Sequence, residues 1–336
     1  MQFMNTESKH KFLGAHTALS IIKEKRNLWR RIPYLKENDG HAPPLILAVG
    51  DRRRVYGIAR RLRHPVLLPE ETAKLANPRL NSKDLPSTPE FGRNAIAIGT
   101  IASIPVTIIE TQIGSPATQI ILNEILSDDL TINEYKVGRK KIKLDRKVVI
   151  RIGTAGGINC EGKPLLKVGD IVNATHSIGA TGAIMQSLSQ LDFWQPEAYD
   201  VFRSRWLSLG EDFTFTKKND PRVECSNEVV EAIEKASMKL SPNNHCTGGN
   251  VTKDSLYAEL NADVFLDMCR AENCRTTEME LSTIAVAARE HNANFGMVSA
   301  IVGTLPGSSF GEDEKAKRLA EKRAVLAGLE SLKGLT

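Results

Sequence analysis

Val148-Val149-Ile150-Arg151-Ile152-Gly153-Thr154-Ala155-Gly156-Gly157 is an apolar run that carries one arginine and then gives way to small residues. Its first five residues have the length and β-branched content of a fully buried strand. An unpaired guanidinium inside such a strand would be costly to bury. Arg151 therefore requires an anion, either a carboxylate of the protein or a ligand. The small residues after it read as a glycine-rich turn, where backbone can approach a ligand closely. The pattern is neither a Walker loop nor GxGxxG, and no GxGxxG follows the first predicted strand, Leu45–Val49. That argues against a dinucleotide-dependent dehydrogenase.

Outward from this strand, short apolar runs alternate with amphipathic helical patterns, the signature of an α/β sheet with helices on its faces. Further strands are predicted at Ala95–Ile98, Val106–Glu110, Asp170–Thr175, Cys246–Val251 and Phe295–Val302. Helices are predicted around Val55, Ile58, Ala59 and Leu62, from Pro116 through Leu126, over 228–240, and from near Met279. A C-terminal helix over 312–333 opens with Glu312-Asp313-Glu314, acids that suit its dipole. No linker or repeat divides the chain. The reading is one α/β domain over residues 1–336, with an N-terminal extension 1–33 and insertions at about 64–92 and 128–146.

Composition is that of an ordinary globular chain: 336 residues, 41% hydrophobic and 25% charged. Only 5% of residues are aromatic, which weighs against base-stacking RNA modules. No run of 18 apolar residues occurs, so no membrane span is expected. Cysteines 160, 225, 246, 269 and 274 form no CxxC pair, which fits reduced thiols and a cytoplasmic location. The net charge of +5 gathers in residues 52–64 and 136–147. Those segments are read as solvated loops plus one small anion site rather than a nucleic-acid surface.

Two more stretches carry chemistry. In Leu47-Ala48-Val49-Gly50-Asp51-Arg52-Arg53-Arg54 a strand ends at a glycine and a helix begins at once. Free N–H groups at such a turn, with an arginine on the first helical turn, make an anion pocket. For Arg52 and Arg53 a solvated helix face is the alternative. In Thr276-Thr277-Glu278-Met279-Glu280-Leu281-Ser282 two carboxylates flank a methionine at the head of a buried helix. They either complement the helix dipole or grip the vicinal hydroxyls of a sugar, since one carboxylate can accept from two hydroxyls.

Taken in order, Val49-Gly50-Asp51…Arg54-Val55, Thr111…Gly114-Ser115-Pro116, Arg151-Ile152-Gly153-Thr154-Ala155-Gly156, Gly169-Asp170-Ile171-Val172, Asp254-Ser255-Leu256-Tyr257 and Glu278-Met279-Glu280 resemble the nucleoside phosphorylases. The closest likeness is to the uridine phosphorylase branch, over a core of about 34–305. The resemblance implies a mixed central sheet, partly barrel-like and flanked by helices. It implies a pentosyltransferase that cleaves a nucleoside, uridine first, with inorganic phosphate as co-substrate and neither metal nor organic cofactor. Gly50, Arg54, Arg151 and Thr154 would bind phosphate, with Arg93 as the nearest candidate for an arginine given by a neighbouring subunit. Met279, Glu280 and Glu278 would hold ribose, and Ala155, Gly156, Leu256 and Tyr257 the base. Arg54, Arg151 and Glu280 would carry catalysis, in a homodimer or higher homo-oligomer.

Departures from that pattern shape the alternatives. Ala155 stands where a hydroxyl residue is common, and Leu260-Asn261-Ala262 stands where uridine phosphorylases carry Gln-x-Arg. Asn261, Arg270 and Arg275 are the candidates to replace that pair. Thr304 occupies the place of the purine branch's aspartate, and its hydroxyl cannot serve as a general acid at neutral pH. Pyrimidine nucleosides are therefore favoured over purine nucleosides. A hydrolytic nucleosidase and a catalytically silent relative remain the rival readings.

Overall fold

Strand β7, Val148–Ile158, organises the molecule. The sequence reads Gly153–Gly157 as a turn; in the structure these residues continue the strand to eleven residues. The cause lies in the neighbour. The long strand Asn294–Leu305 runs parallel to β7 and pairs with it from Asn294↔Val148 to Leu305↔Ile158. Small residues are needed along that run, because a Cβ on Gly157 would sit 3.0 Å from Ile301 Cγ2.

The structure is a computed structural model that describes residues 33–68, 94–138, 140–160, 162–179, 222–254, 262–305 and 313–336. In chain order the described strands are β1 (Leu45–Val49), β2 (Arg63–Leu68), β3 (Ile96–Ile101), β4 (Ile104–Glu110), β5 (Glu134–Val137), β6 (Lys140–Lys143), β7, β8 (Ile171–Ile178), β9 (Arg222–Glu224), β10 (His245–Thr252), β11 (Cys274–Glu278) and β12 (Asn294–Leu305). The helices are α1 (Pro33–Glu37), α2 (Arg52–Ala59), α3 (Ser115–Ile125), α4 (Asn227–Leu240), α5 (Ala262–Ala271), α6 (Leu281–Glu290) and α7 (Glu314–Ser331).

The main sheet runs β11-β10-β8-β12-β7-β1-β4-β3-β2, with β9 on β8. A second pairing joins β11 back to β7 through Thr276↔Gly157 and Thr277↔Gly156. Strands β7, β12, β8, β10 and β11 thus form a closed ring, a five-stranded barrel from which β1, β4, β3 and β2 extend as an open sheet. One face of the sheet packs against α3 and α6, through Ile121, Leu122, Leu281 and Ile284 among others. The other face packs against α2, α4 and α7, through Val55, Ile58, Ile233, Ala320 and Ala324. This is a single mixed α/β domain with a partly closed sheet.

Residues 64–68 of the segment read as an insertion belong to β2, which pairs antiparallel with β3 at the sheet edge; 69–92 lie outside the described residues. Segment 128–146 contains the β5–β6 hairpin, tied down by Asn38 Nδ2 donating to Lys136 O at 2.8 Å and by the fully buried Tyr135. Its lysines are mostly solvated, as with Lys141 paired to Glu134. All of the N-terminal extension except Pro33 lies outside the described residues.

Candidate active site

The anion that Arg151 requires is the protein's own. Its side chain is 4% exposed, and Nη2 donates to Glu280 Oε2 at 2.7 Å. Nη1 donates to Thr111 Oγ1 at 3.1 Å. The Nε–H, buried as well, has no partner among the described residues. Four pieces of chain meet here: the ends of β1 and β4, the middle of β7, and the β11–α6 junction. Thr111 is locked to β1 by its N–H donating to Val49 O at 2.7 Å. Gly50 follows β1 directly and lies beside the guanidinium; a Cβ there would lie 3.1 Å from Arg151 Nη2. Glycine at this position lets the arginine tip come up against the main chain.

Glu280 is fixed on its other oxygen by the Gly114 N–H at 2.8 Å. Gly114 has φ +91°, a conformation glycine adopts freely, and α3 starts immediately after it. Ser115 Oγ donates to Met279 O at 3.0 Å, joining the head of α3 to the same junction. Burial alone would raise the Glu280 carboxyl. The Arg151 charge and the Gly114 N–H outweigh it, so Glu280 is held below the usual carboxylate range.

Glu278, read as a ribose candidate, turns into the protein instead. Its oxygens accept from Asn250 Nδ2 at 2.8 Å, Thr252 Oγ1 at 2.7 Å, Glu280 N at 2.8 Å and Leu281 N at 3.0 Å. Burial and then the nearby Glu280 charge push this carboxyl up to about 7, against the pull of Arg151 and the Thr252 hydroxyl.

Arg54 takes a carboxylate partner of its own, separate from Glu280. It lies on the first turn of α2, half-buried, and Nη2 donates to Glu321 Oε1 of α7 at 2.9 Å. Arg52 pairs with Glu110 at 3.2 Å, and Arg53 is exposed. Thr154, Ala155 and Gly156 follow Arg151 along β7, but Ala155 is buried among Leu166, Val172 and Ile301. Met279 is half-buried beside Glu280. Arg93, Leu256, Tyr257 and Asn261 lie outside the described residues. Of the candidates to replace the missing Gln-x-Arg pair, Arg270 is exposed and salt-bridged to Asp267. Arg275 is buried and donates to Pro164 O at 2.5 Å.

Thr111, Gly114, Asn250 and Thr252 belong to the site although the sequence reading gave them no role there. Thr111 and Gly114, just past the end of β4, stand in one of the blocks that carry the resemblance; Asn250 and Thr252, at the end of β10, had only their position as a signal. Among the described residues, no group of three His, Cys, Asp or Glu side chains is arranged to hold a metal ion. No described helix is long and apolar enough to cross a membrane.

The paired arginine and glutamate thus stand at the carboxyl ends of β1 and β4. The model of the phosphorylase superfamily matches residues 66–332. The chain belongs to that superfamily. Among solved structures, this phosphorylase-superfamily chain is similar to the purine nucleoside phosphorylase of Toxoplasma gondii in complex with immucillin-H. The TM-score is 0.57 at 19% identity, covering 86% of this chain and 90% of that one. It is also similar to the uridine phosphorylase of Vibrio fischeri ES114 complexed with 6-hydroxy-1-naphthoic acid. There the TM-score is 0.58 at 17% identity, covering 88% of this chain and 93% of that one. At such identities the likeness establishes the fold. No protein of curated function matches the chain by sequence.

Proposed function

We propose that this superfamily member cleaves a nucleoside by phosphorolysis, uridine plus phosphate giving uracil and ribose 1-phosphate. The observation that carries the reading is the buried Arg151–Glu280 pair, set against Thr111, Gly114 and Gly50. A cation suited to phosphate and a carboxylate suited to vicinal hydroxyls stand within one hydrogen bond of each other, so a phosphate at the first would lie beside a sugar at the second.

In the reaction, the C1′–N bond breaks with its electron pair leaving on the base, and a phosphate oxygen forms the new bond to C1′. Positive charge grows on the ribose ring, where the dianion stabilises it. Arg151, the Gly50 turn and Thr154 hold the phosphate, while Glu280 and Met279 hold the ribose. Fixing both substrates together supplies roughly 7–11 kcal/mol of the barrier. Arg54 joins the phosphate by exchanging its Glu321 partner for the dianion; a half-exposed pair worth about 0–1 kcal/mol does not prevent this. Ala155 and Gly156 border the base, together with Leu256 and Tyr257. Uridine is preferred because Thr304, within β12, offers no general acid to a purine ring. The working form is at least a homodimer, with Arg93 offered to the neighbouring site.

The test is release of free base from uridine, thymidine, inosine and adenosine, with and without phosphate. Phosphate-dependent release, fastest from uridine, is expected. Equal rates without phosphate would make the protein a nucleosidase, and release from none would make it a silent relative.

A further inference from the structure

Helix α6 starts without help from the residue at its head. Glu280 is its N-cap, with φ −137° and ψ −28°, and its side chain makes no capping bond. The first amides of a helix must nevertheless find acceptors. Two residues outside the helix provide them. Glu278 accepts from the Glu280 N–H at 2.8 Å and the Leu281 N–H at 3.0 Å. Thr252 Oγ1 accepts from the Ser282 N–H at 3.0 Å. Glu278 is in turn held by Asn250 and Thr252, and the Ser177 hydroxyl ties Thr252 to Ser282. Every member of this set is buried.

An acidic or hydroxyl N-cap ordinarily turns back onto the amides of its own first turn. With the Leu281 and Ser282 amides already satisfied, the Glu280 carboxylate can turn the other way, to Gly114 and Arg151. We propose that Glu278 is a positioning residue that takes over the capping of α6, so that Glu280 faces Arg151 and the sugar, while Glu278 itself makes no contact with the sugar. The proposal deepens the phosphorolysis reading and rests on it for the sugar. The Asn250 NH2 and the two main-chain N–H groups can only donate, so each depends on an acceptor oxygen of Glu278. The charged and titratable groups that bear on Glu278 are Glu280, Arg151 and the Cys225 thiol.

The variant E278Q puts an NH2 donor where one of those oxygens accepts. Dissociation constants for uridine and 2′-deoxyuridine, measured by titration calorimetry, would be compared across wild type, E278Q, E280Q and E278Q/E280Q. E278Q is expected to weaken uridine about tenfold or more, as misaiming a side chain does, and to move the uridine-to-deoxyuridine ratio toward that of E280Q. The double variant is expected to bind no more weakly than E280Q alone, because Glu278 acts only through Glu280. Losses that add in the double variant, or an unchanged ratio in E278Q, overturn the proposal. Hydrogen exchange over residues 279–285 needs no ligand. Faster exchange in E278Q is expected, and unchanged exchange refutes the capping role. Should E278Q fail to fold, T252V removes the neighbouring cap and is expected to shift the same ratio; wild-type discrimination in T252V counts against the idea. A wild-type chain that never releases base with phosphate sinks the phosphorolysis reading, while the exchange measurement still decides the role of Glu278.

Discussion

Replacing Arg151 alone should cost more stability than removing the charges of Arg151 and Glu280 together. In the native protein Glu280 is 5% exposed, with Arg151 Nη2 at 2.7 Å and the Gly114 N–H at 2.8 Å. The variant R151M keeps most of the arginine's apolar stem but leaves the carboxylate one donor and no counter-charge. Breaking a buried pair from one side costs about 3–5 kcal/mol, whereas removing both charges is far cheaper. R151M is expected to fall in that range. R151M/E280Q, whose amide oxygen still accepts from Gly114, is expected to recover about 1–2 kcal/mol of the loss.

The pH dependence follows from the same geometry. With Arg151 present, Glu280 titrates below its ordinary 4.5, so its contribution is present above that value and lost as pH falls through the lower, folded one. Without Arg151, burial dominates and the folded value rises above 4.5. The sign then reverses, and stability is lost as pH rises. The deficit of R151M against wild type should therefore be larger at pH 8 than at pH 5, in urea melts followed by circular dichroism. A double variant less stable than R151M, or a deficit independent of pH, would refute the reasoning.

Three further outcomes are expected. In G50A the new Cβ would lie 3.1 Å from Arg151 Nη2 and 3.3 Å from Gln112 O; the guanidinium must retreat by a few tenths of an ångström, and kcat/KM should fall about tenfold with little change in Tm. The variant E321Q releases Arg54 from its half-exposed pair. The KM for phosphate should drop about two- to threefold, on the scale of about 0–1 kcal/mol for such pairs, and a raised KM would mean that Glu321 aims Arg54 instead. Finally, Glu278 is raised to about 7 by burial and by Glu280, so between 4.5 and 7 the native chain holds a proton that the unfolded chain has released. That contribution is present below 4.5 and lost as pH rises through about 7, so thermal melts of E278Q should vary less from pH 5 to 8 than those of wild type.

Three strands of the open sheet, β1, β3 and β4, were legible because they are short apolar runs bounded by turn residues, whereas the edge strand β2 falls where the sequence reads an insertion. Leu45–Val49 lies where the pattern puts it, and the Ala102–Ser103 turn between β3 and β4 takes the positive φ angles of a tight hairpin. The closed part was less legible, since β7 continues through Gly153–Gly157, which read as a turn, and β12 runs past Val302 to Leu305. Strand β11, Cys-Arg-Thr-Thr-Glu, carries almost no apolar signal at all. Its strand character comes from having β10 on one side and β7 on the other, and pairing of that kind leaves no mark in local composition. The ring closure is invisible in sequence for that reason, although the resemblance to the phosphorylases carried it.

The site divides differently. An arginine inside an apolar strand states a chemical need that follows from solvation alone, and Arg151 does meet a carboxylate. Its partner lies 129 residues away, and the third member, Gly114, reaches Glu280 only because α3 begins there. No spacing relates 114, 151 and 280. The motif of two acids around a methionine was visible, but the division of labour within it was not, because the two carboxylates share a composition and differ only in what surrounds them. Four donors around Glu278 and a guanidinium beside Glu280 push the same functional group toward opposite tasks. A buried polar residue thus constrains the chemistry of its partner closely while leaving its address open, and the address is what turns a pair of glutamates into one grip and one support.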